Sequence, residues 1–344
     1  MSIKNWPGGV ITKDPVVPAG PYEDGAASGV WSLGQVADYT KQGIWPTAGN
    51  LLQRALIQQV GDNSYEVSSL NLASTGNAAT FGNLTNSPES CSAVGSATRA
   101  VFSNDNASNQ MVYFTFATLG NSINFGTVAT PVLYNAAGNS STRGLWLGGW
   151  NVSNVNQSVI EYITIASLGN SSSFGSLSAA KRGPSACSSQ TRVCSAGGYG
   201  PPAYANIEYV TTATTGSASS FGNLTTDQFY MSAAFSSNTR GLWASGSTGT
   251  GTGQTKIEYI TIASTGNAVS FGSLAQGRNG PSGFSSQTYG YISGGNYPIP
   301  MGGTNYDKID YVTIASTGNS AEWGSLQQNG NQHMGAASNC NGGI

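Results

Sequence analysis

Charge is scarce in this chain. Its 344 residues include 13 lysines and arginines, 15 aspartates and glutamates and one histidine, for a formal net charge of −2. A chain so poor in basic residues has no electrostatic footprint for nucleic acid or an anionic membrane surface, and neither is expected as a partner. The lone imidazole, His333, excludes a copper centre built from several histidines, and any Ser-His-Asp triad would have to use it. The four cysteines, Cys91, Cys187, Cys194 and Cys340, lack zinc-site spacing. Cys187 and Cys194 are spaced to face each other across a hairpin, where two small buried thiols are expected. Phosphate loops, calcium loops and metal-ligand motifs are missing, so no cofactor or metal is expected. No carboxylate pair of the kind that hydrolyses glycosides stands out. No apolar run reaches the ~18 residues of a spanning helix, so membrane insertion is not expected. The opening "MSIKNWPGGVITKDPVVPAGPYEDG" lacks the apolar core of a secretory leader, which predicts synthesis in a cytosol without export by that route.

What the chain has in abundance is repetition. An aromatic-Gly-x-aliphatic anchor recurs six times, from Phe81, Phe125, Phe174, Phe221, Phe271 and Trp323. Ahead of each lies a β-branched and aromatic run, such as "IEYITIAS" (160–167, repeated at 257–264), ending in a Gly-Asn or Gly-Ser turn. After each anchor comes a strand of small residues, a tight Ser/Thr/Asn turn, and an apolar strand. That strand often closes in Gly-Gly, as in "GPSACSSQTRVCSAGG" (183–198). Four short strands per repeat leave no room for a helix. Radially repeated four-stranded antiparallel sheets make a β-propeller, because one such sheet cannot bury both of its faces alone.

A propeller must also join its ends, or its terminal blades expose edges. The final repeat stops at "NQHMGAASNCNGGI" with an inner strand and no second strand. "LLQRALIQQV" (51–60) aligns with "STRGLWLGGW" (141–150), Arg54 over Arg143 and Leu56 over Leu145. The prediction is an all-β, six-bladed propeller closed by pairing of its N- and C-terminal strands. Its blades are expected over 51–84 with 333–344, then 88–128, 131–177, 182–224, 229–274 and 278–326. Within it, Ala and Ser suit the crowded axis, the six anchor aromatics should pack between neighbouring blades, and Gly-Gly should release the chain at φ values that other residues resist. Arg54, Arg99, Arg143, Arg192 and Arg240 recur in the second strand, and Glu161, Glu208, Glu258 and Asp310 in the third. Because both sets repeat, they are expected to pair with one another as an architectural ladder rather than to form a ligand site.

"KRGPSACSSQTRVCSAGGYGPPAYANIEYVTTATTGSASSFGNL" (181–224) resembles a diverged kelch repeat. The order of elements matches that family; the outer-strand tryptophan usual there is present only at Trp323. The resemblance covers residues 51–344 and implies a kelch-like propeller. Its short "STGN" and "SSxTR" turns fall on one face of the disc. The varied connections, such as "WNVSNVNQS" (150–158), "YGPPAYAN" (199–206) and "NYPIPMGGTNYDK" (296–308), fall on the other. Aromatics in varied loops on a rigid scaffold mark a binding face, and Trp150, Tyr199, Tyr204, Tyr297 and Tyr306 are the candidates for stacking on sugar rings.

Residues 1–50 do not repeat. They read as extended chain holding one short helix near 33–42, with Ser32 and Gln35 as a capping box and Gly43 and Pro46 beyond its end. So short a helix must dock on something. Trp31, Leu33, Val36, Tyr39 and Trp45 are its candidate anchoring residues. This segment, and the "TIASTGNAxxFGxL" text of the repeats, resemble stretches of virion structural proteins of tailed phages. That resemblance implies a non-enzymatic virion protein such as a tail fibre or appendage. It would attach to other virion proteins through residues 1–50, present its loop face to host-surface glycan, and take its oligomeric state from the particle. The alternatives are a capsid decoration or cement protein with no receptor role and, less favoured, a glycan-cleaving propeller enzyme.

Overall fold

The structure, a computed structural model, describes residues 32, 34, 35, 38, 53–59, 65–85, 90–103, 108–200, 204–225, 232–247, 253–297, 304–330 and 334–344. It divides into two compact units, Met1–Gln53 and Arg54–Ile344. In the first, the expected capping box is formed. The Ser32 N–H donates to Gln35 Oε1 at 2.9 Å and the Gln35 N–H to Ser32 Oγ at 3.2 Å, at the start of a helical turn holding Gly34, Gln35 and Asp38. Trp31, Leu33, Val36, Tyr39 and Trp45 lie outside the described residues.

The second unit is a six-bladed β-propeller of antiparallel sheets. Blade one pairs Ala336–Ser338 with Arg54–Gln58, followed by Glu66–Asn71 and Ala79–Asn83. Blades two to five take their four strands in chain order: Ala93–Gly95 to Ile123–Thr127, Ala136–Asn139 to Ser172–Ser176, Arg182–Ser188 to Ser219–Asn223, and Ala233–Ser236 to Val269–Arg278. Blade six runs from Ser282–Ser285 to Ala321–Gly330 and adds a short strand, Asn296–Tyr297. The ring is closed as the sequence predicts: Ala55, Leu56 and Ile57 pair with Ser338, Ala337 and Ala336. No sheet edge is left unpaired at the junction of the chain's two ends.

The hydrophobic residues do not form one core but six, one between each pair of neighbouring blades. Phe174 and Leu177 of blade three, for example, pack with Val193 and Val210 of blade four. Trp323 of blade six packs with Leu70 and Leu72 of blade one. Strand alternation produces this: in "IEYITI", Ile160 and Tyr162 face one neighbour, while Ile163 and Ile165 face the other. Each anchor aromatic lies opposite a register shift between the third and outer strands, as at Ile160/Glu161, and this bulge turns its ring inward. Tyr162–Phe174, Tyr209–Phe221 and Tyr259–Phe271 meet edge to face with ring centres 5.7–5.9 Å apart. Burying each ring contributes roughly 1.5–3 kcal/mol.

The conserved wording of the repeat is a blade-to-blade stitch. The Phe174 carbonyl accepts from the N–H of Gly216 in the next blade. A Cβ on Gly175 would stand only 2.2 Å from the Gly216 carbonyl oxygen. The same contact joins Gly82 to Gly120, Gly126 to Gly169, Gly222 to Gly266, Gly272 to Gly318 and, across the closure, Gly324 to Gly76. The turn asparagines add to it: Asn170 Oδ1 accepts from Thr127 N, Asn267 from Asn223 N and Asn77 from Ser325 N, each at 3.0 Å.

The expected arginine–carboxylate ladder is not formed. Each arginine instead lies over an aromatic ring of its own blade and donates to carbonyls at the end of the third strand of the next. Arg192 sits 4.4 Å from the centre of Tyr209 and donates to Ile262 O and Ala263 O at 2.9 Å. Arg99, Arg143 and Arg240 do the same. Arg54, over Phe81, reaches Phe116 O. In each pair of successive carbonyls one guanidinium nitrogen, Nη1, donates to both. The carboxylates serve a different place, the chain segments that lead into each blade.

Candidate functional site

The inner strands converge with Ala93, Ala137, Ala186, Ala234, Gly283 and Ala336 around the axis, where larger side chains would collide. Below them serines link the blades: Ser236 Oγ donates to Ser188 O, Ser285 Oγ to Ser236 O and Ser338 Oγ to Ser285 O. At the turn face the axis is crossed by Asn341–Ile344. Asn341 exchanges amide hydrogen bonds with Asn139, and Gln287 Nε2 donates to Asn341 O at 2.7 Å. Gly343 packs against the Asn139 carbonyl where no Cβ fits. Among the described residues the axis is therefore a funnel, open on the side of the varied loops.

Its mouth is a cavity of about 110 Å³. Pro184, Pro281 and Met334 offer C–H surface, and Ser92, Asn135 and Ser232 offer polar groups. Among the described lining residues there is no carboxylate, imidazole, ammonium or guanidinium. Ser92 Oγ donates to Asn135 Oδ1 at 2.7 Å, which fixes the amide and leaves its N–H groups toward other acceptors. Tyr134 stands on the rim at φ 56°, a position occupied by Gly183 (φ 64°) and Gly280 (φ 65°) in blades four and six. A bulky residue in this left-handed region is an outlier that the surroundings must enforce. Its ring stacks on Trp150, 6.1 Å between centres and 21° between planes.

Four of the loop-face aromatics singled out from sequence prove to be partners of buried or half-buried cations. Arg182 lies between Trp150 and Tyr199, at 4.6 and 5.1 Å from their ring centres. Lys181 lies 5.7 Å from Tyr204, and Arg278 4.3 Å from Tyr306. Tyr297 belongs to the added strand of blade six, paired with Thr304. Trp150 is joined to the funnel rim through Tyr134. The residues sequence reasoning missed are Tyr134 and Asn135. Their signal was present, since "YN" stands where two other repeats have "GP".

Ion pairs of the repeated carboxylates underlie the segments that lead into the blades, Lys181–Glu208 and Arg278–Asp310 the most buried of them. Lys181 Nζ and Glu208 Oε1 are 2.7 Å apart with both side chains buried. Burial alone would raise the Glu208 carboxyl, but the charge and hydrogen bond of Lys181, with those from Ser178, outweigh it and hold the group below its ordinary value. Burial lowers the Lys181 ammonium, Glu208 offsetting part of this. Arg278, fully buried, is bonded to Asp310, whose carboxyl burial pushes up despite that partner. Cys187 and Cys194 face each other across the inner hairpin of blade four as buried free thiols. No helix among the described residues is long and apolar enough to cross a membrane. His333 lies outside the described residues. No family model matches the chain, and no curated protein matches its sequence.

Proposed function

We propose that this propeller is a non-enzymatic binding module of a phage virion that holds an uncharged glycan at its axial funnel, with residues 1–50 attaching it to other virion proteins. The observation that carries the binding reading is the funnel. It is a concavity with no charged group among its described lining residues, in which proline C–H surface alternates with amide and hydroxyl groups, under a strained tyrosine that stacks on Trp150. A pyranose presents the same mixture, a C–H face and a hydroxyl edge. Glycan cleavage would need two carboxylates at the sugar, and the repeated carboxylates here are turned to the segments between blades. The virion assignment rests on the sequence resemblance of the repeats and of residues 28–46.

The test is binding of the full chain to a panel of neutral oligosaccharides and to candidate host cells before and after enzymatic removal of surface glycan. Saturable binding that Asn135→Ala weakens at least tenfold supports the reading. Binding equal in the wild type and this variant, or none at millimolar sugar, overturns it.

The second reading, decoration of a capsid, is favoured by one observation on the turn face. Leu119 and Leu168 are more than half exposed in the turns of blades two and three, where the turns of other blades carry Thr75, Thr215, Thr265 and Thr317, and Ile123, which opens the outer strand of blade two, is as exposed. A protein contact through these exposed apolar side chains would leave the funnel free.

A further inference from the structure

Behind the funnel wall, between blades two and three, lies a second cavity of about 10 Å³, the size of one water molecule. It shares Asn135 with the funnel and is lined also by Trp146, Glu161, Thr130 and Ser103. Trp146 and Glu161 are register partners on adjacent strands. Both are buried, at 4% exposure each.

Among the described residues the indole N–H of Trp146 has no hydrogen-bond partner. The reason is visible by comparison with blade five, where the equivalent Trp243 donates to the carbonyl of Ser185 on the preceding blade at 3.2 Å. The carbonyl in the matching place for Trp146 is Ser92 O. It is taken, by the N–H and the hydroxyl of Ser103 at 3.0 and 3.2 Å. Glu161 departs from its repeats in a parallel way. Glu208, Glu258 and Asp310 are each met by a cation, Lys181, Lys256 and Arg278. Among the described residues no lysine or arginine pairs with Glu161. It accepts from Ala129 N and Ser171 Oγ, both through Oε2.

We propose that this cavity binds a single uncharged water molecule, which accepts from Trp146 Nε1–H and donates to Glu161 Oε1. The occupant must be amphoteric. A metal cation or ammonium would serve the carboxylate but repel the positive edge of the indole N–H, and an anion would do the reverse. Water satisfies both and needs only two to four polar partners. In blade three it gives the carboxylate the partner that a basic side chain supplies in blades four to six.

The measurement is the exchange of magnetisation between solvent and the Trp146 indole N–H in the full-length protein, with the resonance assigned by its disappearance in Trp146→Phe. A direct water cross-peak of slow-tumbling sign, unchanged when Na⁺ is replaced by K⁺ or Rb⁺ at constant ionic strength, is the expected result. Absence of that cross-peak would overturn the proposal. So would an indole shift that titrates with the identity of the cation. A crystal soaked in Rb⁺ gives an independent reading: an isolated peak without anomalous signal between Trp146 and Glu161 supports water, whereas an anomalous peak or an empty cavity rejects it.

Discussion

The phenol of Tyr291 donates to the carbonyl of Leu72 at 3.0 Å across the closure of the ring. Leu72 stands where Ile262 and Ile314 stand in blades five and six, and those carbonyls are held by arginines of the preceding blade. In blade six the arginine position is Tyr289, packed on Tyr311 and Trp323, so a neighbouring tyrosine has taken over its hydrogen bond. Burial pushes the Tyr291 phenol up, which keeps it a donor well into alkaline solution. Tyr291→Phe leaves the Leu72 carbonyl buried without that donor and should cost about 1–3 kcal/mol in denaturant unfolding. Arg192→Met should cost a similar amount at the next-but-one interface, and a variant of either kind as stable as wild type would show that these bonds contribute nothing.

Substitution of the stitching glycines should depend entirely on which half of the contact is changed. Gly175→Ala drives a methyl into a backbone carbonyl and should lower stability by several kcal/mol or prevent folding. Gly266→Ala meets nothing within 4 Å and should stay within about 0.5 kcal/mol of wild type. Thermal unfolding of the two proteins side by side decides it.

Removal of residues 336–344 strips the inner strand from blade one and exposes the edge of Arg54–Gln58. The expected outcome is loss of the single cooperative transition and association through the free edge, read by size-exclusion chromatography and calorimetry. A monomeric, cooperatively unfolding truncation would mean that closure is dispensable.

Acid should act through Glu208. Its folded pKa lies below the unfolded one, so its contribution is fully present above the unfolded value and fades as pH falls through the folded one. Glu208→Gln leaves Lys181 buried without a counter-charge and should cost about 3–5 kcal/mol at pH 7. The gap between wild type and variant should close on titration toward pH 2, because the protonated wild-type carboxyl then resembles the amide. A gap independent of pH would assign the loss to packing.

Tyr134→Gly separates strain from function. It removes the left-handed φ penalty along with the stack on Trp150, so stability should shift by no more than about 1 kcal/mol in either direction. Sugar binding to the full chain should fall at least tenfold. Unaltered binding would place the ligand elsewhere on the loop face.

Much of this architecture was legible because it is periodic. Six anchor aromatics with strand-like runs gave the blade count, and the Arg54–Arg143 alignment gave the closure that Ala55 and Ser338 now show. What periodicity does not carry is the identity of a partner. Gly175 and Gly216 recur equally in the text, yet nothing in their spacing says that one presses on the other across an interface. The arginines were visible and their acceptors were not, since a backbone carbonyl has no signature of its own. That is why a carboxylate ladder was the natural expectation. Nor could composition distinguish an exposed loop aromatic from one already held by Arg182 or Arg278; those contacts join residues from different connections.

Gln53 leads directly into Arg54, and Arg54–Gln58 is hydrogen-bonded along both edges, to Ala336–Ser338 and to Glu66–Asn71. Arg54–Gln58 can therefore leave the sheet only by breaking hydrogen bonds on both of its sides, so the strand that opens the propeller is also one of its interior strands.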